Sequence, residues 1–229
     1  MKTDFQYKDL PYKELDIPEL DKVISELQNY TQNLHPGLYK AVNSDESIDK
    51  LSIDQYVKEL QHKKHGFWRG CYPDVHQDLL DECPTLQKSL QEYGKVVNVA
   101  FFCLWQKDSV IHSDDIVMDL KSQSFRMDPK HEMYYEDFPP WPIRSRINIP
   151  IFNCEKSKTI WWKPHKEKDS QQNVFRTYLP EECDKIAELT LNKATLLRVD
   201  IPHQVINDGW RMPRLAATIT TDQDLTDYL

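Results

Sequence analysis

Glycine is scarce in this chain: five in 229 residues, at positions 37, 66, 70, 94 and 209, where about 7% of residues is usual. So few glycines leave no GxGxxG turn and no P-loop, which excludes the common glycine-cradled phosphate sites. Cysteine is limited to Cys71, Cys83, Cys103, Cys154 and Cys183, an odd number with no CxxC spacing. These read as reduced core or surface thiols rather than a disulfide framework. Long hydrophobic runs are missing too. The longest, over 96–105, contains Asn98 and is too short to cross a bilayer, and no signal peptide opens the chain. Positive charge is in deficit, 29 Lys+Arg against 37 Asp+Glu for a net −8, which argues against a general nucleic-acid footprint. Together these absences set the expectation of a cytoplasmic protein with neither a membrane nor a nucleic acid as its partner.

What the chain does have is apolar and aromatic side chains, 39% and 11% of residues. At this size a folded chain buries roughly 70–75% of its unfolded surface, so one core and a single domain over 1–229 are expected. The pattern changes near residue 95. Before it, Ile17, Leu20, Val23, Ile24, Leu27 and Tyr30 recur at three- and four-residue steps, with Pro18 at a first helical position. Ile53, Tyr56, Val57 and Leu60 repeat that period, as do Leu79, Leu80, Leu86, Leu90 and Tyr93 before Gly94. After it, short β-rich segments are expected over 96–105, 109–120, 145–152, 159–162, 174–178, 195–199, 203–206 and 215–221, with an amphipathic helix over 180–189. The expected fold is mainly β with supporting helices: a double-stranded β-helix, or jelly roll, over 95–221, with a helical support region over 1–94.

The chemistry begins at Ile111-His112-Ser113-Asp114. On a strand, residues two apart project from the same face, so His112 and Asp114 supply two adjacent corners of a metal coordination sphere. A second histidine would complete the 2-His-1-carboxylate triad of non-haem Fe(II) oxygenases, which leaves open positions on the metal. His203, 91 residues after His112, is the candidate, because it opens a strand directly behind Pro202. The other HxD, His76-Gln77-Asp78, lies in helical patterning, where residues two apart diverge. Further on, Arg214 alternates with Ala216, Thr218 and Thr220 on one strand face. An inward arginine among small residues calls for a carboxylate, either Asp208 or Asp200 of this chain or one from a ligand.

HxD on an early strand, a distal histidine about ninety residues later and an arginine eleven beyond it resemble the Fe(II)/2-oxoglutarate-dependent oxygenases. The stretch Arg144-Ser-Arg146-Ile-Asn148-Ile-Pro150-Ile-Phe152-Asn153, followed by Lys158-Thr-Ile-Trp-Trp162, is similar to strands of small bacterial and bacteriophage members. Those members are distant relatives of the prolyl and aspartyl/asparaginyl hydroxylases, and the likeness would place the protein in a host cytoplasm if a phage encodes it. The resemblance covers residues 96–221. It implies that His112, Asp114 and His203 hold Fe(II) and act as the catalytic centre, and that Arg214 pairs with the C5 carboxylate of 2-oxoglutarate, with Arg211 as the fallback. It also implies that Asn148, facing inward with Arg146 if Ile147 and Ile149 pack in the core, helps to position the co-substrate, although the residue by itself reads equally well as an Asn satisfying a strand edge. Trp162 and Asn207 are looser candidates. The implied reaction consumes 2-oxoglutarate and O2, releases succinate and CO2, and hydroxylates a substrate.

The segment 126–144, rich in Tyr, Trp, Pro and acidic residues, reads either as a lid or as a plug against the helices. As a lid it would suit a peptide, a protein residue or a polar small molecule. Two rival readings use the same residues. A zinc hydrolase would place a water in the open position and leave Arg214 without a role. A non-enzymatic metal-binding jelly-roll module would bind the metal without turnover.

Overall fold

A computed structural model of the chain describes residues 9–34, 79–104, 108–114, 144–167, 175–207 and 214–229. Among these residues the architecture is mainly antiparallel β: two five-stranded sheets with few helices. The strands are β1 (Tyr12–Glu14), β2 (Val96–Leu104), β3 (Ile111–Asp114), β4 (Ser145–Phe152), β5 (Ser157–Pro164), β6 (Phe175–Tyr178), β7 (Cys183–Leu189), β8 (Thr195–Arg198), β9 (His203–Asn207) and β10 (Arg214–Thr221). The first sheet runs β1-β8-β4-β10-β2 and the second β6-β3-β9-β5-β7. Four of the pairs nest inside one another along the chain: β2 with β10, β3 with β9, β4 with β8 and β5 with β7.

Alternation along β4 and β10 assigns the two faces of the first sheet. Ile147, Ile149, Ile151, Leu215, Ala217 and Ile219 are buried with Val23, Leu27 and Tyr30 of α1 (Leu20–Leu34) and with Leu86 of α2 (Pro84–Ser89). Burying each such side chain is worth roughly 1.5–3 kcal/mol, so this helix-backed face is the main core. Two polar ties fix the helices on it. Gln28 Nε2 donates to the Ile151 carbonyl at 2.9 Å, and Glu26 accepts from both the backbone N–H and the hydroxyl of Thr85 at 3.0 and 2.6 Å. Glu26 thereby supplies the acceptor that α2 lacks locally, since Cys83 makes no side-chain cap. Between the sheets lies a second cluster of Trp161, Leu197, Ile201, Ala216 and Cys154. Trp161 stacks on Tyr12 at 5.3 Å and donates from its indole to the Arg198 carbonyl at 2.9 Å.

The expected strands over 96–105, 145–152, 159–162, 174–178, 195–199, 203–206 and 215–221 correspond to β2, β4, β5, β6, β8, β9 and β10. Of 109–120, the described part forms β3, and residues 115–120 lie outside the described residues. The helix expected over 180–189 is not there: a single 3-10 turn over Pro180–Glu182 leads into β7. Its Asp, Lys, Ala and Glu residues are ordinary helix formers. Six residue pairs with β5 override that preference, and an edge strand tolerates the exposed charges of Asp184, Lys185 and Glu188. The periodic run before Gly94 also breaks, at Cys83-Pro84, into α-helical residues over 79–82, α2 and a 3-10 turn over Gln91–Tyr93. Proline can neither donate to the preceding turn nor fit behind it. The run at Ile53–Leu60 and nearly all of segment 126–144 lie outside the described residues, as does Cys71.

Cys83, Cys154 and Cys183 are buried and are reduced thiols outside any disulfide. Burial pushes the Cys83 thiol up to about 12, which makes it a small apolar core residue. Among the described residues no helix is long and apolar enough to cross a membrane.

Candidate metal centre

His112 and His203 are cross-strand partners in β3 and β9, and Asp114 stands two residues beyond His112 on the same face. One ligating atom from each of the three residues lies within 4.8 Å of the others. Local hydrogen bonds aim both imidazoles. His112 Nδ1 lies 2.8 Å from the Val110 carbonyl and His203 Nδ1 lies 2.9 Å from the Ile201 carbonyl. A carbonyl only accepts, so each Nδ1 carries the proton and each Nε2 presents a lone pair. Burial first, then the neighbouring His112, pushes His203 down to about 4, so this imidazole is neutral near pH 7.

Asp114 Oδ1 is buried and accepts no hydrogen bond, while His112 Nε2 stands 3.5 Å away. Two imidazole lone pairs and a carboxylate oxygen therefore converge, a set of acceptors whose mutual repulsion a cation relieves. The donor set of two imidazoles and one carboxylate fits a divalent first-row metal with open positions. From the facing sheet, Arg146 Nη1 reaches to 3.6 Å from Asp114 Oδ2.

Along β4 the burial runs against a closed sandwich. Ile147, Ile149 and Ile151 on the helix side are buried, whereas Arg146, Asn148 and Pro150 on the inter-sheet side are only half-buried. Packing thus leaves the inter-sheet space open at this end, and Asn148 Oδ1 faces it buried and without a hydrogen-bond partner. Asn148 and Arg146 share that face, as the strand alternation requires.

Deeper in, Arg214 is 1% exposed. Its Nε donates to Ser157 Oγ at 3.1 Å, its guanidinium lies 5.5 Å from the Phe102 ring centroid, and its Nη1 is buried without a partner. Among the described residues no carboxylate pairs with it. Asp200, one of the two acids the sequence offered, is engaged in a two-point pair with Arg198 at 2.8 and 2.6 Å. Asp208 and Arg211 lie outside the described residues. Ser157 opens β5 opposite Asn207, four residues before Trp161, which is the cross-strand partner of His203. The backbone of Ser157, whose hydroxyl steadies Arg214, is thus about 13 Å along β5 from the partner of His203, and the Arg214 side chain lies at the inner end of the same inter-sheet space.

Of the looser candidates, Asn207 is buried beside Ser157 and donates to the Leu104 carbonyl at 3.4 Å. Trp162 packs instead with Ile111, Tyr178 and Cys183, away from the ligand face. Sequence reasoning missed Ser157 and did not anticipate the approach of Arg146 to Asp114. Ser157 follows Asn153-Cys154-Glu155-Lys156, a turn whose direction the sequence does not display, and the Arg146 approach spans two sheets.

No protein-family model matches the sequence, and no curated protein matches it. Among solved structures the chain is similar to the epimerase SnoN in complex with Fe3+, alpha-ketoglutarate and nogalamycin RO, at 10% identity and a TM-score of 0.43, covering 93% of this chain and 79% of that one. It is similar also to ThoJ, a non-heme monooxygenase in its apo form, at 8% identity and a TM-score of 0.41, covering 93% and 74%. Likenesses this distant assign neither a fold nor a reaction to the chain.

Proposed function

We propose that this chain is an Fe(II)- and 2-oxoglutarate-dependent dioxygenase that hydroxylates a peptide or protein residue or a polar small molecule. The observation that carries the reading is Arg214: a guanidinium 1% exposed, without a carboxylate among the described residues, in the same inter-sheet space as His112, Asp114 and His203. An unpaired buried cation is costly, and an anionic co-substrate that reaches from the metal to this arginine removes the cost. The nested pairing of β2 with β10, β3 with β9, β4 with β8 and β5 with β7 is a long antiparallel hairpin rolled up, which supports a jelly-roll oxygenase domain.

In this reading His112, Asp114 and His203 hold the iron through two Nε2 atoms and one carboxylate oxygen. Arg214 binds the C5 carboxylate of 2-oxoglutarate, with its Nε steadied by Ser157, and Asn148 orients the co-substrate from the neighbouring strand. Arg211 stays the fallback for the carboxylate. Bound iron, with O2, supplies the oxidising power by which 2-oxoglutarate becomes succinate and CO2 and one oxygen atom enters a substrate C–H bond. The protein's own work is to orient both partners and to exclude water, with Trp161 and Leu197 forming dry walls. A zinc hydrolase or a passive metal-binding module would use the same three ligands but would leave the buried charge of Arg214 without purpose.

The test is an anaerobic visible-absorption titration of metal-free protein with Fe(II), then 2-oxoglutarate. A saturable charge-transfer band that is absent in His112→Ala and weakened in Arg214→Ala is the expected result. Bound metal without such a band overturns the reading.

A further inference from the structure

Arg146 is the remaining charged side chain in the described part of the inter-sheet space, and its bonding is incomplete. Its side chain is 19% exposed, and among the described residues its buried Nε finds no acceptor and its one ionic contact is the 3.6 Å approach to Asp114 Oδ2. The other nearby arginines are committed: Arg198 to Asp200, and Arg176 to Glu167 at 3.4 Å. Arg146 thus depends on Asp114 for its counter-charge, and a metal bound to Asp114 draws that charge away.

The balance of charge then indicates what is missing, on the basis of the oxygenase reading above. Among the described residues, two guanidinium groups and a divalent ion face one carboxylate and one dianionic co-substrate, which leaves one positive charge in a partly desolvated space. That charge is on Arg146, because the co-substrate's distal carboxylate is taken by Arg214. We infer that the substrate carries a carboxylate that Arg146 binds, close to the carbon that is hydroxylated. The position follows from geometry, since a group held by Arg146 is within one side chain's reach of the metal ligand Asp114. The class follows from charge and shape: one residual positive charge matches a monoanion better than a dianionic phosphate, and the planar guanidinium fork matches a carboxylate in two-point contact.

The test uses the full chain with Fe(II) and saturating 2-oxoglutarate under anaerobic conditions, so that Arg214 is occupied and no turnover occurs. Acetate and acetamide serve as probes, equal in shape and different in charge, with the thermal unfolding midpoint as the readout. Acetate is expected to raise the midpoint saturably and acetamide not to. Arg146→Gln is expected to weaken acetate binding by about tenfold or more, with Arg146→Lys, which keeps the charge but loses the fork, between the two. Both variants are expected to form the iron–2-oxoglutarate band. Equal responses to acetate and acetamide, or unchanged acetate binding in Arg146→Gln, overturn the proposal while the oxygenase reading stands. If Arg146→Gln does not fold, the Arg146→Lys comparison decides by the same criterion. An absent band in the unsubstituted protein overturns both.

Discussion

His112 and His203 face each other across one antiparallel register position, their ring centroids 4.5 Å apart and their planes inclined by 48°. The centre is therefore a property of strand register. A slip of one residue in β9 would turn His203 to the opposite face of the sheet. Two sets of contacts prevent it: five residue pairs with β5, and Ser109, whose hydroxyl accepts from the Val205 N–H and whose carbonyl accepts from Gln204 Nε2, each at 2.8 Å.

Metal binding is expected to stabilise the fold, because the three ligands converge only in the native state. At a free Fe(II) concentration one hundred times its Kd, the gain is about 2.7 kcal/mol. Differential scanning calorimetry under anaerobic conditions should show the midpoint rise on adding Fe(II) and fall again with a chelator. His203→Ala should abolish both responses. An iron-dependent rise that persists in that variant would place the metal elsewhere.

Arg214→Met is expected to separate stability from binding. It removes a buried guanidinium that has one hydrogen bond and one unpartnered nitrogen, so the ligand-free protein should hold its stability or gain up to about 2 kcal/mol in urea unfolding. Its affinity for 2-oxoglutarate should drop by about a hundredfold, the cost of losing a charge-assisted contact in a dry site. A variant several kcal/mol less stable with unchanged affinity would mean that Arg214 is structural.

Gly94→Ala probes the joint between the helices and β2. Gly94 has φ +103°, and a Cβ there would stand 2.5 Å from Asp222 Oδ1. That oxygen accepts from the Lys95 N–H at 2.7 Å, so it is not free to retreat. Denaturant unfolding should show a loss of about 1–3 kcal/mol with metal affinity unchanged. A loss under about 0.5 kcal/mol would show that the turn rearranges cheaply.

Much of the β architecture was legible because one face of each strand meets a core. Ser145-Arg146-Ile147-Asn148-Ile149 alternates in the sequence as it does in space. His112 and Asp114 were legible for the same reason. The placing of β7 was not, since an edge strand has one neighbour and its charged, helix-favouring residues lack the period of a strand. Nor was Ser157, which owes its place beside Arg214 to a turn with Asn153 at φ +53°. The Arg146–Asp114 approach is long-range and joins two sheets, and no local pattern encodes such a contact.

The nested pairing also sets an order of events in synthesis. His112 emerges from the ribosome 91 residues before His203, and β3 gains its β9 partner only after β4 through β8 have been made. Closing so long a loop carries an entropic cost that short-range turns such as the one before β5 avoid. A nascent chain therefore holds a two-ligand half-site for several seconds, at ordinary translation rates of ~5–20 residues per second. On the oxygenase reading, tight iron capture would be a late event, and iron content would report that β3 and β9 have paired.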